Sequence, residues 1–149
     1  MPLVHATCVV IDGRGILLRG PSGAGKSDLA LRLIEAGAGL VADDQVHLEA
    51  QQGRVIASAP QSLYGLIEVR GLGPVRLDAR QIAPPSPLAA VISLGAGGAV
   101  ERLPEPAEVC LAGIPVPEFH VAPFEASAAA KVRLVASRGG NGAKRASPR

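Results

Sequence analysis

Short apolar runs separated by turn residues follow one another along this chain of 149 residues. Residues 4–11 are β-branched and mostly apolar, which predicts a buried strand. Asp12-Gly13-Arg14-Gly15 has the composition of a hairpin turn. Residues 16–19 are therefore expected to return antiparallel to the first strand, which already departs from an all-parallel sheet.

A helical pattern and a second hairpin come next. Residues 28–36 favour a helix that ends at Gly37, a residue suited to a left-handed cap. Residues 39–42 form a short apolar run that ends on two acids, which predicts another strand. Residues 46–50 alternate with period two, and Gln51-Gln52-Gly53 turns them back into residues 54–57, so a second hairpin is predicted.

The second half of the chain is richer in proline. It predicts a turn or short helix at 62–66, a strand at 67–69, a glycine-rich loop at 70–74, a rigid connector at 84–87, a buried strand at 88–94, loops at 95–98 and 103–106, a hairpin of 109–111 with 114–116, and an Ala-rich helix at 127–137. The whole pattern indicates a single mixed α/β domain over residues 1–137.

Composition narrows the class of protein. The chain is 48% hydrophobic but only 2% aromatic, so its core must consist of Ala, Leu, Val and Ile. A net charge of +2 gives no reason to expect nucleic-acid binding. Cys8 and Cys110 lie in apolar runs, which predicts buried thiols rather than a disulfide. With no signal-peptide pattern and no apolar run of membrane length, we expect a cytoplasmic protein without membrane contact. Residues 138–149 predict a disordered basic tail.

One octapeptide, a candidate phosphate-binding loop (P-loop), carries the clearest chemistry. It fits the pattern G-x-x-x-x-G-K-[ST] between a strand-like and a helix-like run, and reads Gly20-Pro21-Ser22-Gly23-Ala24-Gly25-Lys26-Ser27. Glycines let such a loop wrap a polyphosphate with inward N–H groups, and the following helix adds the positive end of its dipole. Lys26 is expected to reach the β- and γ-phosphates and the Ser27 hydroxyl to bind Mg²⁺. The alternative is a glycine-rich turn that carries these letters by chance.

Acidic side chains supply the candidates for metal and proton chemistry. Asp43 and Asp44 end an apolar strand after the P-loop helix, where an acid of the Walker B type belongs, although an acidic turn is the simpler interpretation. Glu68 lies on a predicted apolar strand, where it is a candidate metal ligand, a partner of Arg70, or a solvent-facing residue. His5 on the first strand is, by itself, more typical of a core histidine than of a catalytic one.

Four blocks in this order resemble the catalytic domain of HPr kinase/phosphorylase. They are Val4-His5-Ala6, the P-loop, Leu40-Val41-Ala42-Asp43-Asp44, and Leu66-Ile67-Glu68-Val69-Arg70-Gly71-Leu72-Gly73. The resemblance covers residues 3–121. The chain is similar to short single-domain proteobacterial members of this family. The resemblance implies a P-loop fold like that of phosphoenolpyruvate carboxykinase, with a mixed sheet and few helices.

The resemblance also implies residue roles. The family's active-site histidine matches His5, its P-loop lysine matches Lys26, and its metal ligands match Ser27 and Glu68. The carboxylate that takes the seryl proton, and returns it in the reverse reaction, matches Asp44. The implied activity is an ATP- and Mg²⁺-dependent protein serine kinase acting on an HPr-like phosphocarrier, with phosphorylase activity left open. The expected assembly is a homo-oligomer.

Two features depart from the family pattern. The sequence begins at the catalytic domain, without the additional N-terminal domain of full-length members. The family's Pro-Gly-Arg-Asn-type loop is replaced by residues 123–131, which contain no arginine, so Lys131 or Arg133 is the candidate substitute. Two other functions stay open: a small-molecule kinase on the same scaffold, and a nucleotide-binding regulatory module with little turnover.

Overall fold

The computed structural model describes residues 2–95, 100 and 104–138. It is a mixed α/β fold with two α-helices and eleven strands in these residues. The elements are β1 (Leu3–His5), β2 (Thr7–Ile11), β3 (Arg14–Arg19), α1 (Lys26–Glu35), β4 (Gly39–Ala42), β5 (Gln45–Gln51), β6 (Arg54–Ser58), β7 (Leu66–Val69), β8 (Gly73–Arg76), β9 (Ser86–Leu94), β10 (Ala107–Leu111), β11 (Ile114–Val121) and α2 (Ala128–Ser137).

One mixed sheet organises the molecule. Its strand order is β1-β5-β6-β9-β3-β2-β4, and the β10–β11 hairpin joins it through β11 and β9. Strands β3 and β11 run parallel to β9, while the other pairs in this sheet are antiparallel. Strands β7 and β8 form a separate two-stranded sheet. The predicted mixed sheet with few helices is confirmed.

The sheet is buried on both faces. On β3, Ile16 and Leu18 pack on the side of the two helices, whereas Leu17 packs on the opposite side against strands β4, β5 and β6. All three side chains are at most 1% exposed. This double burial explains why β3 has a continuous apolar run rather than an alternating one.

Three hairpins close with the same backbone geometry. Positive φ angles occur at both central residues in each: 50° and 78° at Asp12-Gly13, 52° and 78° at Gln52-Gly53, and 50° and 81° at Ala112-Gly113. This pair of angles matches the right-handed twist of the flanking strands. All three hairpins are confirmed at the predicted positions.

The predicted first strand, residues 4–11, is two strands interrupted at Ala6. Strand β1 pairs with β5, whereas β2 pairs with β3 and β4. The chain must leave one pairing for the other at Ala6, whose N–H donates instead to the Asp44 carbonyl oxygen at 3.2 Å. The break therefore brings the end of β1 beside the acids that follow β4.

Three further expectations need correction. The connector predicted at 84–87 is shorter, because Ser86 and Pro87 already pair with β6 as the start of β9. The loop predicted at 70–74 is shorter, because Gly73 and Pro74 already pair with β7 as the start of β8. Cys110 is exposed, unlike the buried Cys8. The reason is that Val109 and Leu111 pack against the core, and Cys110 between them on β10 points to the opposite face, which meets solvent.

Both predicted helices are present. Helix α1 starts at Lys26, inside the P-loop motif, and is followed by Gly37 with φ 109°, as its left-handed cap requires. Helix α2 buries Ala128, Val132 and Ala136. Neither helix in the described part of the chain has the length and apolar character needed to cross a membrane. The tail predicted at 138–149 lies, beyond Arg138, outside the described residues.

Candidate active site

The predicted P-loop connects the end of β3 to the start of α1. Gly25 precedes the helix with φ 95°, and Gly23 has φ 82°. A Cβ atom added at Gly20 would lie 2.7 Å from the Leu94 carbonyl oxygen, so the loop needs glycine there to pass β9. The first turn of α1 has N–H groups without partners inside the helix, which is the arrangement that binds anions.

Lys26 reaches back across this loop. Its Nζ donates to the carbonyl oxygens of Gly20 at 2.7 Å and Pro21 at 3.1 Å. Burial lowers the pKa of Lys26, and the carboxylates of Asp43 and Asp44 partly oppose that effect. The ammonium group is thus held over the loop that a polyphosphate would fill, beside the two acids predicted to serve the reaction.

Asp43 is the structural centre of the site. It is 4% exposed, and its Oδ1 accepts hydrogen bonds from Thr7 Oγ1 at 2.7 Å and Ser27 Oγ at 2.8 Å. Its Oδ2 accepts from the backbone N–H of Glu68 at 2.8 Å and lies 3.0 Å from Ser27 Oγ. One carboxylate therefore ties the P-loop helix to β2 and β7.

Asp44 faces the other way, toward solvent. Its φ is 70°, and the N–H of Gln45 donates to the Asp43 carbonyl oxygen at 2.8 Å, which closes a three-residue turn around Asp44. Such γ-turns with positive φ are rare and strained, and strain of this kind concentrates at functional sites. The turn considered from the sequence is present. It points two consecutive carboxylates in different directions, one buried and one exposed.

His5 pairs with Asp44. Its Nε2 lies 3.1 Å from Asp44 Oδ1, and the two side chains are 51% and 62% exposed. His5 is therefore not a core histidine. The structure brings His5 and Asp44 into contact, and Asp44 lies close enough to Lys26 to act on its charge.

Glu68 contributes its backbone to the site, while its side chain is exposed on β7. No ion pair joins it to Arg70 within the described residues. The Glu–Arg pair considered from the sequence is thus not formed. Its role as a metal ligand stays a prediction.

The donor set fits Mg²⁺ better than a metal held by protein alone. In the part of the chain that the structure describes, no three His, Cys, Asp or Glu side chains cluster closely enough to hold a metal ion. Mg²⁺ in phosphoryl-transfer sites usually takes one or two carboxylates, several waters and substrate phosphates. Next to the phosphate loop, the structure places the Ser27 hydroxyl, oriented by the Asp43 carboxylate, as one such oxygen donor.

A polar network next to the P-loop was missed by the sequence analysis. Arg19, the residue before Gly20, donates to Glu118 Oε2 at 2.8 Å and to Ser93 Oγ at 3.1 Å, and Ser93 donates to the same Glu118 oxygen at 2.7 Å. Burial would raise the pKa of Glu118, but hydrogen bonds from Ser93 and Arg19 outweigh burial and lower it. The network joins β3, β9 and β11 directly below the loop.

The two candidate substitutes for the family's arginine lie in different places. Lys131, in helix α2, forms an ion pair at 3.5 Å with Glu125, which lies in the segment that precedes this helix. Arg133 lines a surface hollow of about 390 Å³ together with Ile11 and Asp12, at the turn between β2 and β3. That turn is at the opposite end of β3 from the P-loop, so Arg133 is not part of this site.

The fold and the loop define a P-loop protein built on a mixed sheet, with acids at the end of β4. The sequence model of the family described as HPr Serine kinase C-terminal domain matches residues 2–82, and the chain belongs to this family.

Curated relatives carry the name of the same family. The chain is 49% identical over 70 residues to an HPr kinase/phosphorylase of Clostridium tetani, and 51% identical over 80 residues to one of Bordetella pertussis. The alignments cover 47% and 53% of this chain but only 23% and 25% of the relatives. The chain thus spans about a quarter of the length of the curated relatives that it matches.

A solved structure extends the likeness of fold to nearly the whole chain. The Hpr(Ser) kinase/phosphatase from Coxiella burnetii superposes with a TM-score of 0.82, covering 95% of this chain and 97% of that one. The two sequences are 24% identical, so this similarity shows the fold.

Proposed function

We propose that this protein is an ATP- and Mg²⁺-dependent serine kinase that acts on an HPr-like phosphocarrier. One observation carries the proposal: the Asp44–His5 pair lies beside a P-loop whose Ser27 is already held by Asp43. In this proposal the site combines a phosphate cradle, a metal position and a proton acceptor, which are the parts that phosphoryl transfer requires. The names of the curated relatives support the same activity.

In this proposal, Lys26 binds the β- and γ-phosphates by exchanging its two loop carbonyls for phosphate oxygens. Ser27 and Glu68 would hold the metal, and the chemistry that Mg²⁺ supplies when bound is neutralisation of charge on the transferring group. Because Ser27 directs its proton to Asp43, its oxygen lone pairs stay available for a cation. Asp43 thus orients Ser27, the proposed metal ligand, through a hydrogen bond.

Asp44 is the proposed general base. The acceptor serine oxygen forms a bond to the γ-phosphorus as the bond between that phosphorus and the β–γ bridging oxygen breaks, and the serine proton passes to Asp44. His5 Nε2 at 3.1 Å would fix one carboxylate oxygen and leave the other for the serine. In the reverse direction, Asp44 would return the proton to the serine oxygen.

The exposure of this pair favours a protein acceptor. Both His5 and Asp44 have side chains that are more than half exposed among the described residues. A small-molecule kinase usually buries its acceptor in a concave pocket. A seryl side chain on another protein could instead approach Asp44 directly.

The decisive experiment incubates the protein with Mg-ATP and HPr-type phosphocarriers and maps phosphorylation by mass spectrometry. We expect a single phosphoserine with the wild type and none with Lys26→Ala, which also binds ATP more weakly. Arg133→Ala is the matched control, since it removes a positive charge far from the loop. Phosphorylation of metabolites alone would indicate a small-molecule kinase. Nucleotide binding without turnover on any acceptor would indicate a regulatory module.

The remaining proposals concern assembly and location. We expect a homo-oligomer. We also expect the protein in the cytoplasm, because a phosphocarrier substrate is encountered there. Light scattering of the purified protein measures its mass, and fractionation of cells locates it. A monomeric mass, or recovery with the membrane fraction, would contradict these two expectations separately from the activity.

A further inference from the structure

Phe124 is a large apolar side chain that the fold leaves uncovered next to the P-loop. It is 71% exposed, although only three residues of the whole chain are Phe or Tyr. A Cβ atom added at Gly25 would lie 2.8 Å from the Phe124 ring, so the ring rests directly on the last glycine of the loop. This contact is possible only because Gly25 has no side chain.

The segment that presents Phe124 is fixed from both sides. The preceding residue, Pro123, is buried, and its carbonyl oxygen accepts a hydrogen bond from Arg32 of helix α1. Arg32 is itself paired with Asp28 at 3.1 Å. On the other side, the N–H of Glu125 donates to the Ala122 carbonyl oxygen at 3.3 Å. The backbone that carries the exposed ring is therefore held beside the helix that carries the phosphate loop.

The topology places Phe124 and the two acids on opposite sides of the P-loop. Across the sheet the order is β4, β2, β3, β9 and β11, and the loop follows the central strand β3. Strand β11 is parallel to β9 and β9 to β3, while β4 and β3 are both antiparallel to β2. The ends of β4, β3 and β11 therefore meet at one edge, with Asp44 on one flank and Phe124 on the other.

We infer that Phe124 is the stacking surface for the base of the bound nucleotide. The inference rests on the proposed function, since the phosphoryl end of the nucleotide must point to Asp44 for transfer. The nucleoside end must then leave the cradle on the other flank, where the structure offers an exposed aromatic ring on a segment whose backbone is fixed. Stacking on an aromatic side chain tolerates any base because every base has a π-face.

The test compares ligands that share a polyphosphate but differ in the base. Dissociation constants for Mg-ATP, Mg-GTP and Mg-tripolyphosphate are measured by calorimetry with the wild type, Phe124→Ala and Phe124→Tyr. We expect Phe124→Ala to weaken both nucleotides by about 5- to 150-fold, the range for one base–aromatic stack. Tripolyphosphate affinity should change by less than about twofold on this account, and Phe124→Tyr should restore nucleotide binding.

Leu72→Ala provides the matched control, because Leu72 is a 76% exposed apolar residue on the turn between β7 and β8. An equal loss for ATP and tripolyphosphate in Phe124→Ala would show that the ring only shapes the loop, and would overturn the inference. Unchanged ATP affinity would also overturn it, and a raised KM for the phosphocarrier would then assign Phe124 to acceptor docking. A wild type that binds none of the three ligands would instead refute the proposed function.

Discussion

Asparagine substitutions at the two adjacent acids separate their roles, because each removes a charge at nearly constant size. Asp44 is exposed and makes one side-chain hydrogen bond, to His5 at 3.1 Å. Asp44→Asn should therefore change the free energy of unfolding by less than about 0.5 kcal/mol. As a positioned base, Asp44 is expected to contribute about 10²- to 10⁴-fold to phosphoryl transfer, and this factor should be lost while nucleotide affinity is kept.

Asp43→Asn, in contrast, should lower the free energy of unfolding. An amide nitrogen that replaced Oδ2 would face the Glu68 N–H, which now donates to that oxygen at 2.8 Å. An amide nitrogen in place of Oδ1 could not accept the hydrogen bonds that the hydroxyls of Thr7 and Ser27 now donate. Both hydroxyl protons would lose this acceptor. Leaving a buried donor unpaired costs about 1–3 kcal/mol, which is the destabilisation we expect.

Three measurements on each variant test this account: denaturant unfolding, calorimetric nucleotide binding and single-turnover phosphorylation. Asp12→Asn is the control, since Asp12 is an exposed acid at the far end of β3. Near wild-type transfer in Asp44→Asn with an inactive but stable Asp43→Asn would reverse the two roles. Normal transfer in both variants would place the base elsewhere, with His5 as the next candidate.

Three further predictions follow from other residues. Glu68→Gln should raise the Mg²⁺ concentration needed for half-maximal activity, because the exposed carboxylate is a proposed ligand; an unchanged requirement with lower thermal stability would reject that role. A thiol reagent should label Cys110 in the native protein but not Cys8, since burial raises the pKa of Cys8 to about 12; labelling of both without denaturant would contradict this. Because hydrogen bonds overcome burial and lower the pKa of Glu118, its carboxylate should stabilise the fold at neutral pH and lose this effect on acidification. The stability difference between the wild type and Glu118→Gln should thus shrink at low pH, and a constant difference would contradict the network.

The sequence was sufficient for the elements with strong local signals. Hairpin turns at residues 12–13, 52–53 and 112–113 were predictable because each has glycine at its second central position, where φ is positive, although Gln52 and Ala112 at the first position are not typical of such turns. The P-loop with its helix was predictable from its fixed glycines and lysine. The break at Ala6 was not, because it results from β1 and β2 pairing with different strands, and a continuous apolar run contains no sign of that change.

The site was predictable as a set of residues but not as an arrangement. Asp43 and Asp44 could be placed beside the P-loop, yet their division into a buried and an exposed carboxylate depends on a backbone turn that the letters do not specify. Thr7 gave one weak signal, a hydroxyl within a buried strand. The contact between Arg19 and Glu118 joins residues 99 positions apart, so it follows only from strand order.

Positive charge at the site then has to be assigned among the cations that the fold places near it. Strand β3 has six residues and spans about 17 Å, so Arg133, beside the turn at its start, is too far from the P-loop for one side chain to cover. Lys131 is nearer, because its partner Glu125 follows Phe124, whose ring touches Gly25. Of these two candidate substitutes, Lys131 therefore lies nearer to the P-loop, and the proposed transfer relies on Lys26 and the metal.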